Sequence, residues 1–525
     1  MALGFSAQAQ SLDEGIKLIK YERYESAKKV LAPMAAGNAM ANYYLGIADL
    51  GLDDVAAAKA DFAKFPQDAA NMAGMARVAY EEKNVAEGNR LAKAVADGAK
   101  KKEWEPLKFA ADAITYTTGG DNQQAISWYK AALAKNDNAD LHISLGDAYL
   151  KTTGGGGEAM NNYEAVTGKD PKNSLAYSRI GDLWYAAKKY DLALENFNKA
   201  KDADPANPLP YRSLANAYFW VGKYDLAKQN IEKYLELSDK SPEDQIRYSD
   251  ILYLAKDYPA AIAKIQELQG KGITKPYMYR LLAYSQYETK DYANALQNIN
   301  TFFSKQDAAK VIPLDYLYQG KILIANGQTE AGEAALAKAV AADTSGNKAE
   351  TYRQIGDLYK DLKTEDGYKK SGQWYGKVVT ETPNPQVLDY YYSGFWSYYG
   401  KNYDYAASQF EKMEAKFPDQ PSAPYWRGRV AAAIDSKGET GAAAPYFTKW
   451  LAIPDNERYT KKPSDQIIAY QYLALSAYNK GDKAAAKGYM DKLEALDPND
   501  KLLAQLKGLM NKPAATKAPA APKKK

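Results

Sequence analysis

The chain has 525 residues, of which 46% are apolar and 26% are charged, with no cysteine and a single histidine. This composition excludes disulfide bonds, a cysteine-based zinc site, a cysteine–histidine catalytic pair and a multi-histidine metal site. The formal net charge is +4, and five lysines lie among the last fifteen residues, so the remainder is near neutral and nucleic acid is not expected as a partner. No uncharged apolar run approaches the ~20 residues of a membrane-spanning helix, so no transmembrane segment is expected.

The chain begins with "MALGFSAQAQ", a short apolar run followed by Ala7-Gln8-Ala9. This small-x-small spacing is typical of a signal-peptide cleavage site, although the basic segment that normally precedes the apolar run is missing. We expect residues 1–9 to be the remnant of a truncated secretory leader, cleaved after Ala9. The predicted location is therefore periplasmic, with a cytoplasmic protein as the alternative.

A period of 34 residues runs through the middle of the chain. Tyrosine recurs at this spacing with alanine three residues later, at Tyr190/Ala193, Tyr224/Ala227, Tyr258/Ala261 and Tyr292/Ala295, and the same pair occurs at Tyr24/Ala27 and Tyr403/Ala406. Residues i and i+3 share one face of a helix, and a small residue there lets a neighbouring helix approach closely. A fixed period of this size indicates a solenoid of stacked helical hairpins.

Each unit also contains a first helix with apolar residues at i, i+3, i+4 and i+7, as in Tyr177, Ile180, Gly181 and Trp184. The third of these places is glycine in many units, at Gly146, Gly181, Gly320, Gly356, Gly394 and Gly428. Glycine inside a helix costs about 1 kcal/mol relative to alanine. Its recurrence therefore predicts close contact with the second helix.

The unit at 174–207 resembles the tetratricopeptide repeat (TPR) family, in particular its exported bacterial members. The family pattern is matched by Tyr177, Ile180-Gly181, Trp184, Ala193, Phe197, Ala200 and Pro205. The resemblance implies an all-α TPR solenoid of roughly 11–13 helix-turn-helix repeats that form a superhelix. We expect a core that includes Trp184, Leu214, Tyr218, Leu282, Tyr359 and Phe410.

The repeats suggest a division of the chain. Degenerate repeats are expected over 10–138, a regular array over 139–456 and a final repeat over 457–510, after a break at "ERYTKKPSD". The regular units are placed at 139–173, 174–207, 208–241, 242–275, 276–309, 313–346, 349–385, 387–420 and 421–456. The tail over 511–525 is rich in proline, alanine and lysine, which predicts disorder. Either it makes a weak electrostatic contact with an anionic surface or it is a solvated end.

No set of residues in the sequence suggests catalysis, a metal or a cofactor, so no catalytic residue is assigned and the protein is not expected to be an enzyme. Binding of another molecule is the class of function that remains. In the family, the fifth, ninth and twelfth positions of the first helix face a concave groove. The resemblance thus implies these ligand-groove candidates: Arg212, Asn216, Arg280, Tyr284, Arg353, Asp357, Tyr391, Phe395, Tyr398, Tyr425 and Arg429.

Two of these residues match the start of a carboxylate clamp found in chaperone-binding members of the family. Arg212 and Asn216 occupy its first two places, with arginine for lysine. Its remaining places hold Arg247, Tyr277 and Leu281, which depart from the pattern. A clamp for a carboxyl terminus is therefore not the favoured interpretation.

The stretch "DYYYSGFWSYYG" at 389–400 has more aromatic residues than its own hairpin can bury. Tyr391, Phe395 and Tyr398 form a stripe at i, i+4 and i+7, with Tyr425 and Arg429 at matching places in the next unit. A ligand surface is one interpretation of this stripe, since tyrosine and arginine are common binding anchors. The alternative is tight packing between neighbouring first helices.

The predicted function is a non-enzymatic scaffold that binds a peptide segment or protein partner in its groove, in the bacterial envelope. The alternative is a glycan- or peptidoglycan-binding envelope protein, because aromatic rings stack on sugars and the chain has 44 tyrosines and 8 tryptophans. Most of these aromatics lie at core positions of the repeats, which favours the scaffold.

Overall fold

The computed structural model describes residues 12–457 and 459–511. The predicted leader at 1–9 lies outside these residues, as does the predicted disordered tail beyond residue 511. The described chain divides into two compact units, an N-terminal unit that ends at Lys290 and a C-terminal unit that begins at Asp291. Both units are helical, and the only β-type pairing among the described residues is an isolated bridge between Asn456 and Tyr459.

The N-terminal unit contains seventeen helices in its described residues, and consecutive helices pack in pairs as hairpins. They are α1 (12–20), α2 (Tyr24–Ala35), α3 (Ala39–Gly51), α4 (Val55–Phe62), α5 (Ala69–Glu81), α6 (Val85–Asp97), α7 (Glu105–Thr115), α8 (Asn122–Leu133), α9 (Ala139–Leu150), α10 (Gly156–Lys169), α11 (Ser174–Ala186), α12 (Tyr190–Ala203), α13 (Leu209–Trp220), α14 (Tyr224–Leu237), α15 (Pro242–Leu254), α16 (Tyr258–Gly270) and α17 (Pro276–Glu288). The first sixteen form eight hairpins, and α17 is the last helix of the unit.

The C-terminal unit contains twelve α-helices among its described residues, and one turn of 3-10 helix at Ala308–Lys310. They are α18 (Tyr292–Lys305), α19 (Pro313–Ala325), α20 (Thr329–Ala342), α21 (Ala349–Asp361), α22 (Glu365–Glu381), α23 (Val387–Tyr399), α24 (Tyr403–Lys416), α25 (Ser422–Ile434), α26 (Ala444–Ala452), α27 (Pro463–Asn479), α28 (Lys483–Leu496) and α29 (Lys501–Met510). Helices α19 to α28 form five hairpins. The N-terminal unit adds eight, which gives thirteen hairpins among the described residues, beside the predicted repeat at 276–309, whose helices α17 and α18 belong to different units. The sequence predicts roughly 11–13 repeats.

The tyrosine register corresponds to one structural position. Tyr190, Tyr224, Tyr258 and Tyr292 are the first residues of α12, α14, α16 and α18, and Tyr24 and Tyr403 begin α2 and α24 in the same way. The alanines that follow them are fully buried, namely Ala27, Ala193, Ala227, Ala261, Ala295 and Ala406. The equivalence expected of these residues is confirmed.

The recurring glycine marks the closest contact between the two helices of a hairpin. A Cβ atom added at Gly181 would lie 2.5 Å from the ring of Phe197 on the second helix, and one at Gly394 would lie 2.7 Å from Phe410. The other four predicted glycines meet Tyr163, Leu336, Tyr375 and Phe447 at 2.4–2.8 Å. These distances are too short for any side chain, so the glycine lets the apolar residue of the partner helix seat against the backbone.

The turn inside the regular hairpins also repeats. Lys188, Gly222, Lys256 and Lys290 are spaced by 34 residues and all have a positive φ, from 58° to 72°. Only Gly222 adopts this left-handed conformation without a steric penalty. The exposed lysines tolerate it for a single residue, which ends one helix and directs the chain into the next.

The predicted core residues lie in the interior or against it. Leu214, Leu282, Tyr359 and Phe410 are buried, whereas Trp184 and Tyr218 are half-buried and pack against core residues of neighbouring hairpins. Among the described residues, no helix has both the length and the apolar character needed to cross a bilayer.

Candidate binding site

The candidate site lies in the C-terminal unit, where α23 and α25 are the first helices of neighbouring hairpins. Asp389 fixes the start of α23, because its carboxylate accepts a hydrogen bond of 2.7 Å from the backbone N–H of Gln386. The same carboxylate accepts two hydrogen bonds from Arg353 of α21, at 2.7 and 2.8 Å. The paired charges position α23 relative to the preceding hairpin, and its next turns carry the aromatic stripe.

We call the side chains of Tyr391, Phe395 and Tyr398 the aromatic stripe. The rings of Tyr391 and Phe395 stack at 26° with their centroids 5.3 Å apart. Trp426 of α25 packs edge-on against all three rings, at 6.2, 5.0 and 5.5 Å. The three stripe residues remain half-buried, so each leaves part of its ring accessible. The predicted alternative of packing between first helices therefore accounts for one side of the stripe.

Arg429 lies one helical turn after Trp426, next to the aromatic stripe. Its guanidinium is 5.2–5.7 Å from the ring centroids of Tyr398, Tyr425 and Trp426. It donates hydrogen bonds to the hydroxyl oxygens of Tyr425 and Tyr398, at 2.9 and 3.3 Å. No carboxylate of the described residues lies within ion-pair distance of it, although guanidinium has five N–H donors. Arg429 therefore has donors and a positive charge left for an incoming group.

Tyr425 positions Arg429 through a hydrogen bond to its guanidinium. Its side chain is 5% exposed, and its ring packs against Trp450 at 4.8 Å. Burial raises the pKa of Tyr425 above its ordinary value, so the phenol stays protonated and donates a hydrogen bond of 2.8 Å to Asp465. The same oxygen accepts from Arg429. Tyr425 thus acts as a support for the arginine and offers little surface of its own.

The other predicted groove residues of the C-terminal unit already have partners inside the chain. Arg353 is bound to Asp389, as described above. Asp357 accepts hydrogen bonds from Lys360 at 2.5 Å and from the hydroxyl of Tyr375 at 2.9 Å. The charges of Arg353 and Asp357 are thus neutralised within the chain.

The predicted groove residues of the N-terminal unit do not form one open site. Arg212 of α13 makes an ion pair with Glu22 at 2.7 Å and lies over the ring of Tyr234. Asn216 is half-buried, and its Oδ1 atom accepts no hydrogen bond from the described residues. Arg280 is half-buried on α17, and Tyr284 on the same helix is only 2% exposed. Tyr284 is thus a core residue in this structure. Ligand binding by the eleven candidates stays a prediction.

Sequence reasoning missed Trp426, which connects the stripe to the arginine. It is 7% exposed and stacks on Phe410 at an interplanar angle of 13°. The signal was present, since Trp426 and Arg429 have the i, i+3 spacing of one helix face. Tyr399, 46% exposed and 4.8 Å from Phe395, was missed as well. It lies beside the stripe and enlarges the aromatic surface.

No metal centre is built into the structure at this or any other place in the described ranges. Three or more histidine, cysteine, aspartate or glutamate side chains do not gather in a metal-binding arrangement anywhere in residues 12–457 and 459–511. The candidate site consists of aromatic side chains and the guanidinium of Arg429.

Comparisons with known proteins agree with the repeat architecture. A family model described as tetratricopeptide repeat matches residues 152–208. The C-terminal part of a TPR repeat-containing protein from Cytophaga hutchinsonii is 30% identical, with a TM-score of 0.40, over 50% of this chain and 98% of that one. The chain belongs to the tetratricopeptide repeat family. Its repeat fold is that of protein-interaction scaffolds.

Two further solved structures are similar at lower identity. A tetratricopeptide repeat protein from Parabacteroides merdae is 20% identical, with a TM-score of 0.31, over 49% of this chain and 98% of that one. YrrB, described as a TPR protein with an unusual peptide-binding site, is 15% identical, with a TM-score of 0.30, over 34% of this chain and 92% of its own. The comparison with curated proteins gave no match.

Proposed function

We propose that the protein is a non-enzymatic scaffold that binds a peptide segment of a protein partner at the aromatic stripe and Arg429. One observation carries this proposal. Arg429 is held over three aromatic rings by two tyrosine hydroxyls and lacks a carboxylate partner among the described residues. An arginine fixed in this way has already lost its side-chain freedom, so it binds a ligand with a smaller entropic cost.

The surroundings of Arg429 indicate the chemistry of the partner. Arginine binds carboxylates through parallel N–H donors, so the partner should present an aspartate, a glutamate or a terminal carboxylate. The half-buried rings of the aromatic stripe lie next to the arginine and offer apolar contact. We therefore expect a segment in which an acidic group neighbours a large apolar side chain.

The glycan alternative receives less support from the geometry. Sugars stack on open ring faces, whereas Tyr391 and Phe395 stack on each other at 5.3 Å. Trp426 uses one face on Phe410 and meets the stripe with its edges. Among the aromatic residues of this site, Tyr399 is the one that retains substantial exposure. Glycan binding is kept as an outcome of the test below.

We also propose an envelope location for the scaffold. Its support is the Ala7-Gln8-Ala9 spacing at the start of the sequence, in residues outside the described ranges. Fractionation of the native host tests it: the protein should appear in the periplasmic fraction with Gln10 as its first residue. Recovery with Met1 from the cytoplasmic fraction would contradict this part of the proposal.

The binding function is tested by selection of peptides from a random display library on the full-length protein. We expect enrichment of sequences with an acidic residue next to an aromatic or aliphatic one. Their affinity should fall at least tenfold in Arg429→Gln and in Phe395→Ala. Purified cell-wall sacculi, tested in parallel, should not sediment the protein.

The matched control is Arg427→Gln. Arg427 is on the same helix, but its guanidinium pairs with Glu414 and Glu411 and lies over Tyr446 instead of the aromatic stripe. This variant should bind selected peptides as the wild type does. Selected peptides that bind Arg429→Gln and Phe395→Ala with unchanged affinity, or an absence of selected peptides together with sedimentation on sacculi, would refute the proposal.

A further inference from the structure

The N-terminal unit contains a partly open cavity of about 500 Å³, which none of the residues of the aromatic stripe lines. Its walls are α1, the turn after it, and side chains from α3, α5, α7, α9 and α11, which are first helices of successive hairpins. Ligand pockets for small molecules commonly have volumes of 300–1,000 Å³. The size of this cavity is therefore suited to a single organic molecule.

The turn between α1 and α2 closes one side of the cavity. Glu22 pairs with Arg212 of α13, and Tyr21 donates a short hydrogen bond to Asp204. The Ser26 hydroxyl and backbone N–H donate to Asp239 at 2.5 and 3.1 Å. These contacts join the first hairpin to α13, to the turn before it and to the turn between α14 and α15, within the same unit. The cavity remains partly open on its other sides, and its volume suits a small molecule or the end of a chain.

Most charged groups of the cavity wall are already neutralised by each other. Asp112 accepts hydrogen bonds of 2.6 Å from Lys108 and from Tyr129. Asp147 accepts from Arg179 at 2.9 and 3.2 Å and from the hydroxyl of Tyr163 at 2.7 Å. The pairing of Lys20 with Asp140 at 2.9 Å continues this pattern. Of the acidic wall residues, Glu105 has no ion pair with a described residue, and it accepts a hydrogen bond of 3.2 Å from the backbone N–H of Trp104.

Arg77 of α5 is the exception among the cations of the wall. Its Nε–H is buried and has no acceptor, and its guanidinium makes no ion pair with any described residue. It lies 5.9 Å from the ring centroid of Tyr116, which also lines the cavity. A buried donor or charge without a partner is unfavourable, and an anion that enters the cavity would remove this penalty.

The rest of the wall is mainly aromatic and aliphatic. Tyr43, Tyr44, Phe109 and Trp104 line the same space as Arg77. Apolar side chains around a few placed polar or charged groups are the usual composition of a small-molecule site. Since guanidinium binds carboxylate in a planar, two-point geometry, we infer that the cavity binds a small organic carboxylate, with Arg77 on the carboxylate and the aromatic side chains around an apolar body.

The test is a thermal-shift and calorimetry screen of the full-length protein with aromatic and aliphatic monocarboxylates, each paired with its primary amide. We expect carboxylates to raise the melting temperature of the protein and to bind at least tenfold more tightly than the matched amides. Trp104 provides a local readout, because a ligand in the cavity should change its fluorescence and a Trp104→Phe variant should lose this change.

Two variants and one control make the assignment specific. Arg77→Gln should lose at least tenfold in carboxylate affinity, with the amides unaffected, and Arg77→Lys should retain part of the affinity. Both variants should fold, because Arg77 makes no ion pair with the described residues. The control is Arg90→Gln on α6, an exposed arginine that pairs only with Glu87 outside the cavity.

A peptide series separates two sources of the same chemistry. The best carboxylate is offered free and as the C-terminal residue of a pentapeptide, and stronger binding of the peptide would identify a chain end as the natural ligand. No stabilisation by any carboxylate at millimolar concentration, or binding that is unchanged in Arg77→Gln, would overturn the inference. Neither result depends on the aromatic stripe in the C-terminal unit.

Discussion

Arg212 and Arg429 are groove candidates on first helices in two different regions, at the fifth and the ninth position of their helices, and their surroundings differ. In the N-terminal unit, Arg212 is paired with Glu22, which lies 190 residues earlier in the sequence. In the C-terminal unit, Arg429 contacts aromatic rings and tyrosine hydroxyls and has no carboxylate partner among the described residues. The repeat pattern places both arginines on the same helix face. Only the tertiary structure decides whether the charge is neutralised within the chain or left for a partner.

Neutralised pairs and unpaired cations should respond differently to mutation. Removing one partner of a buried pair leaves the other charge uncompensated, which lowers the free energy of unfolding. Removing an arginine that serves a ligand lowers affinity and leaves stability nearly unchanged. The following predictions use this difference, from the largest expected effect to the smallest.

The largest effect is expected for Asp147→Ala in the N-terminal unit. This change removes the partner of Arg179 and two tyrosine hydrogen bonds, at 2.7 Å from Tyr163 and 3.0 Å from Tyr116. We expect the free energy of unfolding to fall by about 3–5 kcal/mol, measured by urea denaturation with hydrogen exchange to locate the loss. Asp97→Ala, which removes an exposed pair with Lys93, is the control and should have no measurable effect. A loss below about 1 kcal/mol for Asp147→Ala would contradict the role assigned to the pair.

The second prediction concerns Arg429→Gln. Affinity for an acidic–aromatic peptide should fall by about 10- to 100-fold, because an interfacial arginine of this kind contributes about 2 kcal/mol to binding. Stability should change by less than about 1 kcal/mol, since the substitution removes only cation–π contacts and two hydrogen bonds to tyrosine. Calorimetric titration and thermal denaturation measure the two quantities separately. A large loss of stability with retained binding would place Arg429 among the structural arginines, like Arg179.

The third prediction is a pH dependence at Asp250, on α15 of the N-terminal unit. One oxygen of its carboxylate is buried without a hydrogen-bond partner, and burial raises the pKa of Asp250 to about 6, against the opposing charges of Arg247 and Lys275. Because the folded pKa exceeds the unfolded one, the stabilising contribution is complete below about pH 4 and is lost as the pH rises through about 6. Asp250→Asn should therefore stabilise the protein by about 1 kcal/mol at pH 7 and not at pH 4.

Urea denaturation of this variant and the wild type at the two pH values gives the comparison. Asp257→Asn is a suitable contrast, because its partner Lys228 lowers the pKa of Asp257, and this variant should lose stability at pH 7. An equal effect of Asp250→Asn at both pH values would show that the carboxylate is not the titrating group.

The smallest effect is expected for Glu22→Gln, which removes the partner of Arg212. Both side chains are partly exposed to solvent, so the pair should contribute only about 0.5 kcal/mol and less at high salt. Melting temperatures measured at low and high ionic strength should converge between the variant and the wild type as salt is added. A loss that persists at high salt would indicate that Glu22 holds the first hairpin by more than charge.

Much of the fold could be predicted because each rule acts within one or two helices. The Tyr-x-x-Ala pair marks the start of the second helix. The glycine of the first helix contacts an aromatic or leucine side chain 16 to 19 positions later, as Gly181 contacts Phe197. These contacts repeat with the period, so they are readable from the sequence alone. The aromatic stripe was recognised for the same reason, from its i, i+4 and i+7 spacing.

The pairings across hairpins could not be predicted in this way. Arg353 with Asp389, and Arg212 with Glu22, join residues whose separations are not fixed by the repeat period. Tyr284 and Tyr425 occupy groove positions by number, but their side chains are buried, at 2% and 5% exposure. Which charges remain unpaired therefore depends on how consecutive hairpins pack. The repeat pattern of the sequence does not reveal that packing.

The glycine found at the helix contact of many hairpins separates two scales of tolerance to genetic change. The contact does not tolerate even one added carbon atom, because a methyl group at Gly146 would come within 2.4 Å of the ring of Tyr163. At the scale of a whole unit, a duplicated segment carries its own glycine and its own ring, so the new joint arrives complete. Gain or loss of 34 residues at a hairpin boundary therefore keeps this contact, whereas alanine in place of such a glycine would bring its methyl group into the side chain of the partner helix.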